Sequence, residues 1–444
     1  MAEPLQTEFP YREALIAYLR ETFPDFYDDY VSETRGGRSA AEAHLQAVNP
    51  ARYAANRNLL DGDVTHLSAY LRHGVLSLRE ARLAVLRKAG RNAEKLVNEL
   101  AWRDYWQRIY QQIGDGIWAD REPYKTGWRA SDYAAQLPVD LLNAETGLTC
   151  IDSFIADLYA TGYLHNHARM WLAAYTVHHL RIRWQAGAAW FLMHLLDGDP
   201  ASNNLSWQWV ASTFSAKPYF FDRGNLERNT HGKYCRDCPL AQRGCPFDRP
   251  LEELAGQLFP HVNPETLGLA ADPRRPTPDS VKKRQRSMND LAQSPQPMVW
   301  VHGDCLRPTN PALLAYPDAP CLFVFDMDLL AEYQISFKRI VFMYECLLAI
   351  PGIQIYKGNV IQIVAQYAEA NQSRTVITTD SPSPRFITYC RDLRERYGLE
   401  VKVLPEPPFV TLDKGEDQTL DLKRFNRYWS VVSRAAMQLD NDSE

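Results

Sequence analysis

Residues 197–209 read Asp-Gly-Asp-Pro-Ala-Ser-Asn-Asn-Leu-Ser-Trp-Gln-Trp and follow an apolar run from Trp190 to Leu196. The stretch contains two carboxylates, two adjacent asparagines and two indoles. Carboxylates accept hydrogen bonds and carboxamides both donate and accept, so this set suits the polar edge of a flat heterocycle. The indoles offer stacking surfaces and can give up an electron. The plain alternative is a polar helix cap followed by a core tryptophan.

Composition and charge describe an ordinary globular chain. Its 444 residues suggest two or three domains, with 45% hydrophobic and 23% charged residues. The net charge of −5 means that nucleic-acid binding would need a local basic surface. No run is long enough to span a membrane, and the N-terminus does not resemble a signal peptide. We therefore expect a cytoplasmic protein whose eight cysteines are thiols or metal ligands rather than disulfides.

Helical signals dominate the chain before residue 268. Ser77-Leu-Arg-Glu80 is a capping box that opens a helix, and Gly90 is expected to close it. Residues 94–112 have helical periodicity, on which Glu99 and Arg103 lie four residues apart and so share one face. The small hydroxyls of Thr65 and Ser68 precede a further apolar run, where they predict helix capping and free N–H groups suited to phosphate.

A polar turn interrupts the two or three long helices predicted within residues 150–196. From Gly162 to Met170 it places an asparagine, two histidines and an arginine inside an otherwise apolar pattern. Burying such groups costs free energy unless something pairs with them. The turn is therefore a candidate site.

Four cysteines precede residue 268, and their spacing is informative. Cys235, Cys238 and Cys245 form Cys-x-x-Cys followed by Cys-Pro, and Cys150 lies far upstream. This pattern is more typical of iron–sulfur ligation than of zinc, which usually has paired Cys or Cys/His ligands. A zinc site and free thiols are the alternatives. The other four cysteines lie in or beside apolar runs and are expected to be buried thiols: Cys305, Cys321, Cys346 and Cys390.

The character of the chain changes at residue 298. Residues 298–405 alternate short β-rich apolar runs with helical patterns, which predicts a parallel sheet wrapped by helices. A segment rich in Pro, Arg and Lys, 269–297, is expected to be an exposed basic linker that could contact a polyanion. Residues 436–444 are expected to form an acidic tail.

The helical motifs, taken in order, resemble the FAD-binding domain of the photolyase/cryptochrome family. They are Thr65-His-Leu-Ser68-Ala-Tyr-Leu, Glu99-Leu-Ala-Trp-Arg103, Thr161 to Met170, and Asp197 to Trp209. The resemblance implies a helical FAD-binding domain over 1–268 and a Rossmann-like α/β domain over 298–435 with a five-stranded parallel sheet. In the family the α/β domain comes first. The chain is therefore predicted to be a circularly permuted member, with 269–297 as the new junction.

The resemblance also implies cofactor roles. Arg169 and Asp197 would pair beside the flavin, and Asn203 would face flavin N5. Trp207 and Trp184 would be the first two stations of a photoreduction chain, whose third member would be Trp118 or Trp128. The full set of implied FAD-binding residues is Tyr53, Thr65, Ser68, Glu99, Arg103, Asn166, Arg169, Asp197, Asp199 and Asn203.

The implied activity is light-driven repair of UV-damaged DNA by a lyase acting as a monomer. Reduced FAD would donate an electron to a flipped cyclobutane pyrimidine dimer, and Glu99 would support the dimer radical anion. The residues implied to grip the dimer are Glu99, Trp102, Asn166, Met170 and Trp209. Leu96 and Tyr163 stand where the family usually has tryptophan, which leaves repair of six-four photoproducts open.

Thr146-Gly-Leu-Thr-Cys150 is similar to the cysteine setting of the iron–sulfur branch of the family. The resemblance implies a structural [4Fe-4S] cluster held by Cys150, Cys235, Cys238 and Cys245. An antenna chromophore of unknown identity in the α/β domain is a further possibility. The rival hypotheses are a cryptochrome-type blue-light photoreceptor without repair activity and a non-photochemical iron–sulfur protein that binds nucleic acid.

Overall fold

The computed structural model describes residues 3–26, 30–267, 296–412, 414–418 and 420–439. The predicted linker up to residue 295, and the acidic tail from residue 440 onward, lie outside these ranges. The described residues divide into two compact units. The first comprises those of Met1–Pro50, Thr65–Gly114 and Pro278–Glu444, and the second those of Ala51–Val64 and Asp115–Thr277. Each compact unit is built from segments that are not adjacent in the sequence, whereas the predicted domains are continuous stretches with boundaries at 268 and 298. These boundaries stay predictions.

Helices occupy most of the described chain before residue 268 and alternate with strands after residue 296. In chain order the α-helices are α1 (Arg12–Thr22), α2 (Arg38–Ala47), α3 (Pro50–Asn56), α4 (Ser68–Arg72), α5 (Leu78–Ala89), α6 (Glu94–Ile113), α7 (Val139–Leu142), α8 (Thr149–Thr161), α9 (Asn166–Ala174), α10 (Trp184–His194), α11 (Pro200–Ala211), α12 (Arg223–Thr230), α13 (Leu251–Leu258), α14 (Pro311–Ala315), α15 (Met327–Glu332), α16 (Phe337–Leu347), α17 (Val360–Ala370), α18 (Pro384–Tyr397), α19 (Lys414–Gln418) and α20 (Phe425–Ala436). A π-helical turn, Tyr175–His179, follows α9. None of the helices in the described ranges combines the length and the apolar character needed to cross a membrane.

A five-stranded parallel sheet forms the centre of the first unit. Its strands are β1 (Met298–Val301), β2 (Cys321–Asp326), β3 (Gln354–Gly358), β4 (Thr375–Thr379) and β5 (Glu400–Leu404). They are ordered β3-β2-β1-β4-β5, and Val299 of β1 lies opposite Cys321 and Ile377 of its two neighbours. This arrangement confirms the predicted fold class, a mainly helical part together with an α/β part built on a five-stranded parallel sheet.

Local sequence signals explain how several elements begin and end. The Ser77 hydroxyl accepts the Glu80 N–H at 3.1 Å, and the Glu80 carboxylate accepts the Ser77 N–H at 2.9 Å. This capping box starts α5, and Gly90 ends it with φ = 53°, a conformation that costs glycine little. Both predictions about this helix are confirmed. The four cysteines expected to be buried thiols are also confirmed: Cys305, Cys321, Cys346 and Cys390.

Helices α8 to α11 form the core of the second unit around large aromatic side chains. Trp171 and Trp184 are completely buried, and Trp207 is 2% exposed. Burying such large apolar surfaces is the main stabilising contribution to this unit. The polar turn between α8 and α9 and the loop between α10 and α11 lie beside this core. Several candidate site residues of the second unit lie in or next to these two connections.

Candidate functional site

Arg169 and Asp197 form a bidentate ion pair in the second unit. Nη1 and Nη2 of Arg169 donate to the two oxygens of Asp197 at 3.1 and 3.0 Å, and its Nε donates to the Leu164 carbonyl at 2.9 Å. The guanidinium lies over the ring of Tyr163, 5.8 Å from its centre. Two parallel charged hydrogen bonds hold both side chains in one orientation. The pair therefore offers a rigid polar wall, and its place beside a flavin stays a prediction.

The polar residues at the start of α11 have structural partners. Asp199 is the N-cap of this helix, and its carboxylate accepts the Ser202 N–H at 3.1 Å and hydroxyl at 2.7 Å. Asn203 donates from Nδ2 to the Ala188 carbonyl at 2.9 Å and to Asn204 Oδ1 at 3.0 Å. The plain alternative for this stretch is thus partly correct, because Asp199 caps the helix.

Two buried N–H donors on α11 lack an acceptor among the described residues. They are Nδ2 of Asn204, a fully buried side chain, and Nε1 of Trp207. A buried donor without a partner costs about 1–3 kcal/mol. Such donors fit a bound polar group, and FAD is rich in carbonyl and ring-nitrogen acceptors. Asn204 was not predicted as a site residue, although its place beside Asn203 was a usable signal.

The tryptophans implied in electron transfer have distinct surroundings. The ring of Trp207 lies where a side chain on Gly187 of α10 would be, and Trp184 lies three residues earlier on the same helix. Nε1 of Trp184 donates to Asp120 Oδ1 at 2.6 Å. Gln185 donates to the Trp118 carbonyl at 3.3 Å, which places that residue beside α10.

Of the two tryptophans implied as the third station, Trp128 has a cation over its ring. The guanidinium of Arg181 lies 3.8 Å from the centre of the Trp128 ring, and Nε1 of Trp128 donates to the Leu258 carbonyl at 2.8 Å. A cation over the ring opposes the positive charge left when an electron departs. The contacts therefore favour Trp118 of the two candidates.

The residues implied to hold the FAD diphosphate do not cap helices. The first turn of α4 has Leu67 as its N-cap with no side-chain hydrogen bond, and the Thr65 hydroxyl accepts the Leu67 N–H at 3.3 Å. The expectation of capping by Thr65 or Ser68 was therefore wrong, because the helix begins at Ser68 itself. In the second unit, Tyr53 lies under the guanidinium of Arg57. The diphosphate role of Tyr53, Thr65 and Ser68 stays a prediction.

Helix α6 carries Glu99, Trp102 and Arg103, all half-buried. The Glu99 carboxylate pairs with Lys95 at 2.8 Å. Trp102 stacks on Phe425 of α20, with ring centres 3.8 Å apart and planes 9° apart. One face of the implied dimer-binding indole is thus covered. Phe425 could not be predicted from local patterns, because more than three hundred residues separate it from Trp102.

The remaining implied substrate residues lie in the second unit. Asn166 is exposed at the start of α9 and donates to the sulfur of Met170 at 3.4 Å. Trp209 of α11 is half-buried beside Tyr219, with ring centres 5.7 Å apart. These side chains have accessible surface, as contact with a substrate requires.

All four predicted cluster cysteines line one cavity. Cys150 comes from α8, and Cys235, Cys238 and Cys245 come from the segment after α12. The cavity has about 300 Å³ of empty space, part of it open to solvent. As the side chains stand, no group of three or more His, Cys, Asp or Glu in the described ranges is arranged to hold a metal ion. The structure thus gathers the four thiols without closing them into a ligand set.

The surroundings of the thiols differ. Burial, with a smaller contribution from the other three cysteines, raises the pKa of Cys150, and burial raises that of Cys235 to about 11. Burial would also raise the pKa of Cys238, but hydrogen bonds from Thr149, Leu240 and Ala241 lower it below its ordinary value. Donors that stabilise a thiolate also suit a metal-bound cysteine.

Arg223 organises the cysteine segment. It donates to Glu227 at 2.9 Å, to Asp248 at 2.9 Å and to the Ala241 carbonyl at 2.9 Å, and it lines the same cavity. One guanidinium therefore joins α12 to two points of the cysteine segment.

In the first unit, the carboxyl ends of β1 and β4 mark the point where the strand order reverses. Ligands of open α/β sheets usually bind at this point. Here Asp304, after β1, accepts hydrogen bonds from Arg72 and from the Ser381 hydroxyl, and His73 contacts the Gly303 carbonyl at 3.2 Å. These contacts occupy the edge with the chain's own side chains.

Comparison with known proteins is consistent with the residue-level analysis. Residues 96–234 match the sequence model of a family described as the FAD binding domain of DNA photolyase. The chain is similar to the deoxyribodipyrimidine photo-lyase of Thermus thermophilus, with 37% identity over 191 residues, 41% of this chain and 45% of that protein. It is also similar to the enzyme of that name from Streptomyces griseus, with 36% identity over 168 residues, 37% of this chain and 35% of that protein. The chain spans less than half the length of these relatives.

Solved structures with partial likeness include a Synechocystis cryptochrome, with 25% identity, a TM-score of 0.42 and coverage of 48% of each chain. An archaeal photolyase from Sulfolobus tokodaii with two FAD molecules has 24% identity, a TM-score of 0.42 and coverage of 55% of this chain and 60% of that chain. Residues 96–234 are therefore similar to the FAD binding domain of DNA photolyase.

Proposed function

We propose that the chain is a DNA repair lyase that uses FAD and light to split cyclobutane pyrimidine dimers in UV-damaged DNA, acting as a monomer. Bound reduced FAD would supply the electron that opens the cyclobutane ring and would take it back afterwards. One observation carries the proposal. The segment matching the FAD-binding domain of DNA photolyase contains the rigid Arg169–Asp197 pair and the unpaired buried donors of Asn204 and Trp207.

On the cofactor side, the ion pair holds one edge of the flavin site and Asn203 faces flavin N5. The contact between Asn203 Nδ2 and the Ala188 carbonyl supports this role because it fixes the orientation of the amide. Asn204 and Trp207 donate to acceptors of the cofactor. Tyr53, Thr65, Ser68, Glu99, Arg103, Asn166 and Asp199 complete the proposed binding set.

On the substrate side, a pyrimidine dimer flipped out of the duplex needs apolar walls and a polar group near its carbonyls. Trp102, Met170 and Trp209 supply the walls, and Asn166 supplies a carboxamide. In its protonated form the Glu99 carboxyl group donates a hydrogen bond to a dimer carbonyl on which negative charge develops. A donor held in place acts more strongly in a dry pocket than in water.

The four cysteines are proposed to hold a [4Fe-4S] cluster. Support comes from their meeting at one cavity, from the N–H donors around Cys238 and from the Arg223 clamp. The cluster would be structural, since it would tie α8 to a segment more than eighty residues away in sequence. Zinc is the competing occupant, and the iron content of the purified protein separates the two.

The domain order is proposed to result from circular permutation. The match to the FAD-binding domain lies before the Rossmann-like sheet in this chain, which supports the permuted order. Arg72, Asp304 and Ser381 fill the usual ligand edge of that sheet. An antenna chromophore of unknown identity is therefore proposed to bind at another place in the α/β domain.

The photoreceptor hypothesis has one observation in its favour. Phe425 covers one face of Trp102, so this indole offers a single face to a dimer. A photoreceptor would reduce its flavin in light and leave dimers intact.

The deciding experiment measures dimer loss in UV-irradiated oligothymidine, using protein whose flavin has been reduced chemically in the dark. We expect loss in blue light only. Glu99→Gln should slow it roughly a hundredfold, the scale of removing one group that stabilises developing charge. Glu94→Gln is the control, because Glu94 is exposed in the first turn of the same helix. Absence of light-dependent loss by the wild-type protein would refute repair.

A further inference from the structure

Asp120 joins two stations of the proposed photoreduction chain. Its Oδ1 accepts the Nε1–H of the completely buried Trp184 at 2.6 Å. Gln185 reaches the same oxygen at 3.5 Å and donates to the Trp118 carbonyl at 3.3 Å. Asp120 also follows Trp118 by two residues. The Asp120 carboxylate thus accepts a hydrogen bond from the indole of Trp184 and is linked through Gln185 to the backbone of Trp118.

This contact matters because of what an indole becomes when it loses an electron. The product is a radical cation, and its N–H is far more acidic than that of the neutral ring. A carboxylate at hydrogen-bond distance stabilises the positive charge and provides a base for the proton. The indole of Trp184 is completely buried whereas Asp120 is exposed, so water screens part of the attraction while Asp120 can exchange its proton with solvent.

Resting on the proposed function, we propose that Asp120 is the proton acceptor and electrostatic partner of oxidised Trp184. In the photoreduction chain implied for a bound oxidised FAD, Trp207 would give up one electron on illumination, and Trp184 would replace that electron. The Nε1 proton of Trp184 then moves to Asp120 Oδ1, which leaves a neutral indolyl radical beside a carboxylic acid. When Trp118 donates an electron to Trp184, the proton returns, so no proton is gained or lost at this station. Asp120 acts through Trp184 and is a positioning residue.

The groups around Asp120 are consistent with its acting as the base. Tyr124 and Tyr133 stack with ring centres 4.4 Å apart. Burial raises the pKa of Tyr133 to about 12 and also raises the pKa of Tyr124. The negative charge of Asp120 adds to both increases. Both phenols therefore keep their protons at neutral pH. Besides Asp120, the charged groups acting on these two phenols are Arg181, Arg183 and Asp132. Arg181 also lies over the Trp128 ring.

The test traps the oxidised state on Trp184 by removing its electron donor. In Trp118→Phe, transient absorption after a blue flash should show a neutral indolyl radical, and its formation should slow in D2O. In Trp118→Phe with Asp120→Asn, the amide oxygen still accepts the hydrogen bond but is a far weaker base. The radical cation should then persist. A purely structural contact would give the same radical in both proteins.

A second measurement uses the intact chain. Asp120→Asn alone should lower the rate of light-driven FAD reduction by about tenfold, the factor expected for losing about 1.4 kcal/mol of charge-assisted bonding. Asp115→Asn, at an exposed carboxylate shortly before Trp118, is the control and should keep the wild-type rate. The inference is overturned if Asp120→Asn reduces FAD at the wild-type rate, if both trapped proteins show the same radical, or if no tryptophan radical forms. Dimer loss by chemically reduced protein reports the proposed function separately, because it bypasses this chain.

Discussion

Gly187 offers a sharp test of how Trp207 is seated, because alanine at this position has two opposing effects. A Cβ on Gly187 would lie 2.2 Å from Cη2 and 2.4 Å from Cζ3 of Trp207, far inside van der Waals contact. Trp207 is 2% exposed, and its ring also packs edge-on against Phe191, which lies on α10 together with Gly187. The two ring centres are 4.9 Å apart. The ring therefore cannot move aside without disturbing the core.

The magnitude follows from these two effects. Replacing glycine by alanine inside a helix ordinarily stabilises it by about 1 kcal/mol. Overpacking a tight core costs about 1–3 kcal/mol, and a contact this short belongs at the upper end. The net effect of Gly187→Ala is therefore a loss of about 2 kcal/mol in the free energy of unfolding. Gly256→Ala in α13 is the matched control. Its Cβ meets nothing within 4 Å, so it should gain up to about 1 kcal/mol.

The assay is urea unfolding followed by tryptophan fluorescence, since seven of the eleven tryptophans lie in the second unit. Light-driven FAD reduction is measured on the same proteins. We expect Gly187→Ala to unfold at lower urea and to reduce FAD more slowly, because the displaced Trp207 ring sits farther from its electron partners. If Gly187→Ala is as stable as Gly256→Ala and reduces FAD at the wild-type rate, the reasoning about this contact is refuted.

Three further predictions follow from other contacts. Arg169→Lys should lower the FAD content and reduce the free energy of unfolding by about 2 kcal/mol, because an ammonium cannot make both hydrogen bonds to the partly buried Asp197. Flavin absorbance per protein and urea unfolding measure the two effects, and full FAD retention would contradict the prediction. Burial lowers the pKa of His178 to about 3, so the folded protein resists protonation that the unfolded chain accepts below about pH 6.5. The contribution of His178 to stability is therefore full above that pH and falls by about 1.4 kcal/mol per pH unit as the pH drops toward 3. Urea midpoints measured across this range should fall less steeply in His178→Gln than in the wild-type protein. Cys150→Ser should lose most bound iron while Cys321→Ser, outside the cavity, keeps it; equal iron content in the two variants would argue against the cluster.

Much of the fold could be predicted from local patterns. The capping box at Ser77 and the positive φ of Gly90 depend on residues close together in sequence, so the boundaries of α5 were predictable. Strand β3 could not be located in advance. It lies at the edge of the sheet, and only Ile355 and Tyr356 are buried among its five residues. Its pattern is therefore too weak to distinguish it from a loop.

The candidate site was only partly predictable for the same physical reason. Motif resemblance identified Arg169 and Asp197, which do contact each other. It did not identify Asp120 or Phe425, whose roles depend on the side chains that packing brings against them. The expectation that Thr65 or Ser68 caps α4 was wrong because hydroxyl groups before a helix signal a cap without specifying where the first turn begins.

Local sequence patterns were enough to predict which segments are helical, that a parallel sheet follows them, and which residue types could bind a flavin or a metal. Those properties depend on hydrophobic periodicity and on the chemistry of single side chains. The folded structure was needed to show that Trp102 stacks on Phe425, that Trp184 donates a hydrogen bond to Asp120, and that Cys150 meets three distant thiols in one cavity. Contacts between residues far apart in the chain arise from how helices pack, and short-range sequence patterns carry little information about that packing.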